Sequence, residues 1–157
     1  MEIRKATRED TGILSQMNVD VQVMHAEAQP RLFKQPDGDD FAVPFFSELF
    51  DNPNVVIYLA EDECPLGYVV LRVVRREENP FMHAWNFVYV DQISVQPEYQ
   101  GRGIGKALMA RTEELAREEG LDFIGLDSWD FNTEAHAFFY SLGFEVFNLR
   151  MRRWVEG

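Results

Sequence analysis

A seven-residue glycine-rich segment carries the most specific chemical signal in the sequence. Its residues are Gln100, Gly101, Arg102, Gly103, Ile104, Gly105 and Lys106. Glycines allow the backbone to approach a ligand closely, and the free N–H groups at the start of a helix attract anions. One Arg and one Lys add positive charge for a phosphate. The segment therefore predicts a turn that binds a pyrophosphate.

The spacing of the glycines excludes two common phosphate-binding motifs. A dinucleotide-binding G-x-G-x-x-G motif that starts at Gly101 would need a glycine where the chain has Lys106. A P-loop would need glycine in place of Gln100 and Ser or Thr in place of Ala107. A different class of phosphate-containing ligand is indicated.

The spacing of apolar residues predicts the helices and strands that precede this turn. Residues 2–6 predict a strand, and Thr7 with Asp10 resembles a capping box that opens a helix. Prolines and a glycine in residues 29–40 predict a loop, before a short helix over 41–50. Apolar, β-branched runs then predict an antiparallel meander of three strands. These strands cover residues 55–60, 67–74 and 85–95.

After the turn, the pattern changes to alternating helices and strands. An amphipathic helix is expected from Ile104 to about Gly120, where glycine is a typical helix terminator. The remaining predicted elements are a strand at 123–127, a helix at 132–142 and strands at 144–147 and 149–155. The fold class is therefore α/β, with a central mixed sheet of about six to seven strands flanked by about four helices.

Composition limits the function classes. The chain has 157 residues, which suits one domain over 1–157, and no linker divides it. A formal charge of −12 disfavours nucleic acid and favours a cationic partner. Cys64 is the single cysteine, and the three histidines lack metal-ligand spacing, so we expect neither a disulfide nor a metal. Without a visible signal peptide or membrane span, a cytoplasmic location is expected.

Two longer motifs resemble the GNAT superfamily of acetyl-CoA-dependent N-acetyltransferases. The first is the family pattern Q/R-x-x-G-x-G/A, which here follows an apolar strand and Val-x-Pro-x-Tyr and reads ISVQPEYQGRGIG over residues 93–105. The second is N-x-x-A-x-x-F-Y-x-x-x-G-F, which reads NTEAHAFFYSLGF over residues 132–144. The predicted order of elements from residue 2 to residue 155 also resembles that of the family.

The resemblance implies roles for the cofactor-binding residues. The turn from Gln100 to Lys106 would bind the pyrophosphate of acetyl-CoA through its backbone amides. The strand edge at Ile93, Ser94 and Val95 would pair with the amides of the pantetheine arm. Asn132 can cap its helix, and the family adds a polar contact with the cofactor arm.

The resemblance also implies two catalytic residues. The Tyr140 hydroxyl would protonate the departing thiolate, although a core aromatic is the alternative. Asp91 occupies a position where several family members have an acidic residue that deprotonates or orients the amine, directly or through water. A solvated charge on an edge strand is the alternative for Asp91. His25, Trp85, Asp127 and Trp129 are lesser candidates for an acceptor pocket.

The predicted function is acetyl transfer from acetyl-CoA to a primary amine of a small molecule or peptide. The amine would attack the thioester directly, with general acid and base assistance and no covalent enzyme intermediate. A non-catalytic acyl-CoA-binding regulatory module is the alternative. The sequence leaves open which amine is acetylated and whether the protein is a homodimer.

Overall fold

The computed structural model describes residues 1–156, which form two compact units. The first unit comprises Met1–Asp127 and the second begins at Ser128. None of the helices in residues 1–156 is long and apolar enough to cross a membrane.

The first unit is built around one five-stranded sheet with the strand order β1-β2-β3-β4-β5. The strands are β1 (Glu2–Lys5), β2 (Val55–Glu61), β3 (Pro65–Arg76), β4 (Trp85–Val95) and β5 (Phe123–Leu126). Strands β1 to β4 pair with their neighbours in antiparallel fashion, and β5 pairs with β4 in parallel. The antiparallel meander that the sequence predicts is therefore confirmed.

Three helices accompany this sheet. They are α1 (Thr11–Ala28), α2 (Val43–Leu49) and α3 (Ile104–Glu118). Helix α3 connects β4 to β5, which is the strand-helix-strand crossover that parallel neighbours require. Ile104, Leu108 and Leu115 are buried, as their helical spacing predicts.

The two faces of the sheet pack against different helices. Leu14, Met17 and Phe46 of α1 and α2 share a core cluster with Tyr68 and Val70 of β3. Side chains alternate between faces along a strand, so the intervening residues of β3 point the other way. Helix α3 contacts β2, β3, β4 and β5 and covers that second face.

An ion-pair network fixes the start of α1 to the sheet. Two nitrogens of the Arg4 guanidinium donate to the carboxylate of Asp10 at 2.9 and 3.0 Å, and two donate to Glu61 at 2.7 and 3.2 Å. Asp10 also accepts the N–H of Thr7 at 2.7 Å, in agreement with the predicted capping box. The hydrogen bonds from Arg4 contribute most to a lowered pKa of Asp10, and the Thr7 N–H and then the positive charge of Arg4 add to this effect. Together they outweigh burial, which acts in the opposite direction.

The second unit contains α4 (Thr133–Ser141), with Phe139 buried and Gly143 just beyond the helix at φ 89°. The strands predicted at residues 144–147 and 149–155 are wrong, since residues 144–156 have no regular secondary structure. The sheet accordingly has five strands instead of six or seven. An alternating apolar pattern predicts a strand only where a partner strand supplies backbone hydrogen bonds. Here Phe147, Leu149 and Met151 are exposed.

Candidate active site

The glycine-rich turn lies between β4 and α3, as predicted. Gly101 and Gly103 have φ values of 78° and 82°, in the left-handed region that side chains other than glycine rarely adopt. Gly103 is the N-cap of α3, and the Ala107 N–H donates to its carbonyl at 3.0 Å. The N–H groups of the preceding helical residues have no acceptor within the helix. These amides and the helix dipole form an anion-binding end.

The charged residues of the turn are exposed to solvent. Arg102 and Lys106 both lie on the surface, and the Arg102 guanidinium is 5.4 Å from the ring centroid of Tyr99. The two cations flank the start of α3 in a protein of net charge −12. The backbone amides, the glycines and these cations fit the pyrophosphate of acetyl-CoA.

One edge of β4 is open next to the turn. Strand β4 pairs with β3 as far as Val95, whereas its pairing with β5 ends at Val90. The backbone from Asp91 to Val95 therefore has no partner in β5. Gln100 connects this edge with the turn, because its side-chain amide donates to the carbonyl of Val95 at 3.1 Å. An extended amide chain fits such an edge as an additional strand.

The side chains of the predicted edge residues are buried to different degrees. Ser94 is buried, and its hydroxyl donates to the carbonyl of Met17 in α1 at 3.4 Å. Ile93 and Val95 are partly buried. Binding of the pantetheine arm through the backbone groups of these residues stays a prediction.

Asp91 lies at a β-bulge in β4. The register with β3 shifts there, because Leu71 pairs with Val90 and Val70 pairs with Gln92. A bulge adds an unpaired residue and redirects its side chain. The guanidinium of Arg72 donates to Oδ2 of Asp91 at 2.9 and 3.2 Å. Asp91 is therefore half of an ion pair and not an isolated solvated charge.

Two residues beside Asp91 are not among those predicted from the sequence. Arg72, the ion-pair partner of Asp91, could have been found as a charged residue inside the otherwise apolar part of β3. Tyr89 precedes Asp91 by two positions in β4, and its hydroxyl donates to Oδ2 of Asp127 at 2.5 Å. Asp127 directly follows β5 and had been a lesser candidate. No local pattern marks Tyr89, because its partner lies 38 residues away in the sequence.

Asn132 and Tyr140 belong to the second unit. The Asn132 side chain accepts the N–H of Ala135 at 3.2 Å, so its predicted capping role is confirmed. Tyr140 is 57% exposed, which excludes a buried core position in this structure. Its exposed phenol can donate a proton. The catalytic role of Tyr140 stays a prediction.

The other lesser candidates take part in local packing. The Nδ1 atom of His25 is 2.7 Å from the carbonyl of Val21, and its ring packs edge-on against Phe33. The Trp85 ring stacks on Phe87 at a centroid distance of 5.1 Å. In the second unit, the carbonyl of Trp129 contacts the His136 ring, and the indole of Trp129 stacks on Phe131. These contacts give each residue a structural role.

Comparison with known proteins identifies relatives of this chain. The sequence profile of the acetyltransferase (GNAT) family matches residues 21–144. The aminoglycoside N(6′)-acetyltransferase type 1 of Stenotrophomonas maltophilia is 32% identical over 128 residues, which are 76% of this chain and 78% of that protein. A thialysine N-ε-acetyltransferase from Bos taurus is 34% identical over 56 residues, which are 36% of this chain and 33% of that protein.

A solved structure supports the fold over the full length. The tetramutant of the BH1408 protein from Bacillus halodurans has a TM-score of 0.93 and 24% sequence identity, and the match covers 99% of this chain and 100% of that chain. The family profile, the similar enzymes and the site geometry agree. The chain belongs to the GNAT family of acetyltransferases, enzymes that use acetyl-CoA.

Proposed function

We propose that this enzyme transfers the acetyl group of acetyl-CoA to a primary amine of a small molecule or peptide. The observation that carries the proposal is the junction between the anion-binding turn and the open edge of β4, which Gln100 links through Val95. A pyrophosphate at the turn would leave the attached pantetheine arm beside the strand edge. The arm would then lead toward Asp91, at the bulge where β4 and β5 stop pairing.

The proposed reaction is direct attack by the amine on the thioester carbonyl. Backbone amides of β4 would stabilise the oxyanion of the tetrahedral intermediate. Tyr140 would donate a proton to the departing thiolate, and Asp91, held by Arg72, would orient the incoming amine directly or through water. Ile93, Ser94 and Val95 would bind the cofactor arm through the backbone, and Asn132 would add a polar contact.

A cationic acceptor suits the charge of the protein. The formal charge of −12 attracts ammonium groups and raises their encounter rate at low salt. The similar enzymes from Stenotrophomonas maltophilia and Bos taurus are named for amine acceptors, an aminoglycoside and thialysine. These names support an amine as the acceptor class and leave the individual amine to experiment.

An acceptor panel tests the proposal. The protein is mixed with acetyl-CoA and with polyamines, aminoglycosides, amino acids or a peptide with a free N-terminus, and free thiol is followed over time. At least one amine should release thiol faster than acetyl-CoA alone, with the acetylated amine confirmed by mass spectrometry. Tight binding of acetyl-CoA without transfer to any member of the panel would contradict the proposal and favour a regulatory acyl-CoA-binding module.

A further inference from the structure

Two carboxylates follow the last residue pair between β4 and β5. The parallel pairing ends with Val90 opposite Leu126, so Asp91 and Asp127 are the next residues on the two strands. Neighbouring strands lie about 4.8 Å apart, which places the backbones of these residues close together. Both residues therefore lie at the point where the strands separate and the cofactor-binding edge of β4 begins.

The two carboxylates have different partners. Oδ2 of Asp91 accepts two hydrogen bonds from the Arg72 guanidinium, which supplies a compensating positive charge. Oδ2 of Asp127 accepts one hydrogen bond from the neutral phenol of Tyr89. Within residues 1–156, no cationic side chain forms an ion pair with Asp127. Of the two carboxylates at the end of the β4–β5 pairing, Asp127 is therefore the one whose negative charge is not compensated by an ion pair.

Tyr89 is suited to hold Asp127 without neutralising it. Burial and, to a smaller extent, the hydrogen bond with Asp127 raise the pKa of Tyr89 well above its ordinary value. The phenol therefore keeps its proton at neutral pH and acts as the donor. Its bond to Oδ2 fixes the orientation of the carboxylate, and Oδ1 has no hydrogen-bond partner in the described part of the chain. An ammonium group can approach that oxygen.

We propose that Asp127 is a catalytic residue that receives the proton of the acceptor ammonium, and that Tyr89 is the residue that positions it. The inference rests on the proposed function and names the base for that reaction. Asp91, already paired with Arg72, then serves to orient the amine. An alkylammonium with a pKa of about 10.4 cannot attack before it loses a proton, so the reaction needs such an acceptor at neutral pH.

The proton balance of the step is complete. Asp127 takes one proton from the ammonium, and the freed nitrogen lone pair forms the N–C bond with the thioester carbonyl. The C–S bond then breaks, the sulfur takes the electron pair, and the thiolate receives a proton. The second nitrogen proton is lost as the amide forms. The products are the acetylated amine, the free thiol of CoA and one proton released to solvent.

Four variants test the inference with an amine that the parent enzyme acetylates. Asp127→Asn should lower kcat/KM at least tenfold at pH 7, and the loss should shrink toward pH 10, where more of the amine is already neutral. Tyr89→Phe keeps the carboxylate but removes its fixed donor, so we expect a loss of about threefold to tenfold. Asp122→Asn is the matched control at the other end of β5, where Asp122 accepts the N–H of Asn86.

The fourth variant is Asp91→Asn. If Asp91 only orients the amine, its loss of kcat/KM should be the same at every pH. Calorimetry should give the parent affinity for acetyl-CoA in all four variants, and circular dichroism should confirm their folding. An Asp127→Asn variant within twofold of the parent, or a pH-dependent loss confined to Asp91→Asn, overturns this inference and leaves the proposed function intact. A parent enzyme that acetylates no amine overturns both.

Discussion

The glycine-rich turn and the end of the β4–β5 pairing are built in different ways. The turn consists of seven consecutive residues, two of them glycines with positive φ, and we propose that it binds the cofactor through its backbone amides. The strand-end cluster, by contrast, consists of four side chains from two strands and the residue after a third: Arg72 in β3, Tyr89 and Asp91 in β4, and Asp127 directly after β5.

This difference predicts that the two regions respond differently to substitution. A site made by the backbone depends on conformations that few residue types allow, so substitution should affect binding of the cofactor. A site made by side chains depends on single atoms, so an isosteric substitution can remove the chemistry and leave the fold unchanged. Substitutions of each kind should therefore have separable effects on cofactor affinity and on turnover.

Loss of the Tyr140 hydroxyl should have the largest effect on turnover. Tyr140→Phe keeps the exposed ring but removes the proposed proton donor, and we expect kcat to fall about tenfold to a few hundredfold. The fold and the affinity for acetyl-CoA should stay unchanged. Steady-state kinetics with one accepted amine and calorimetry with acetyl-CoA measure the two quantities. A kcat within about twofold of the parent would show that the thiolate is protonated by another donor.

A change in the turn should affect binding. Gly103→Glu forces a side chain into a left-handed conformation at φ 82° and adds a negative charge beside the proposed pyrophosphate site. Calorimetry should show acetyl-CoA binding at least tenfold weaker, which corresponds to about 1.4 kcal/mol.

Gly120→Glu is the matched control for this change. Gly120 also has a positive φ, of 65°, and an added Cβ atom meets no other atom within 4 Å at either glycine. The control variant should lose a similar amount of stability and retain its affinity. Equal affinities in the two folded variants would mean that the turn does not bind the cofactor.

An ion pair away from both sites should affect stability alone. Asp10→Asn removes the charge that Arg4 stabilises, and we expect the free energy of unfolding to fall by about 1 to 2 kcal/mol at pH 7. Because the folded-state pKa of Asp10 is lowered, the parent's advantage should be present above pH about 5 and disappear as the pH falls below about 4.

Urea unfolding at several pH values measures this advantage. Asp51→Asn is the control, because Asp51 pairs with Arg8 on the surface and should change stability by less than about 0.5 kcal/mol. A difference between parent and Asp10→Asn that persists unchanged to pH 3 would show that the charge of Asp10 does not stabilise the fold.

The smallest effect is expected at Asp91. Since Arg72 already compensates this carboxylate, Asp91→Asn should lower kcat/KM about threefold through less accurate orientation of the amine. The loss should not depend on pH between 7 and 10. A loss of kcat/KM that disappears at high pH would instead show that Asp91 takes part in proton removal, the role proposed for Asp127.

The sequence alone determined the features that depend on local conformation. The glycines of the turn predict its position and its ligand class, because positive φ values and close backbone approach restrict the residue types allowed. The span of β4, the capping box at Thr7 and Asp10 and the cap at Asn132 were also predictable, since each depends on residues a few positions apart.

The tertiary structure decided the features that depend on distant partners. Residues 144–155 alternate like strands but have no partner strand, so local pattern gave the wrong prediction there. The pairings of Arg72 with Asp91 and of Tyr89 with Asp127 span 19 and 38 residues. Only the register of the sheet and the end of the β4–β5 pairing bring these groups together, because hydrogen bonding between strands sets which side chains become neighbours.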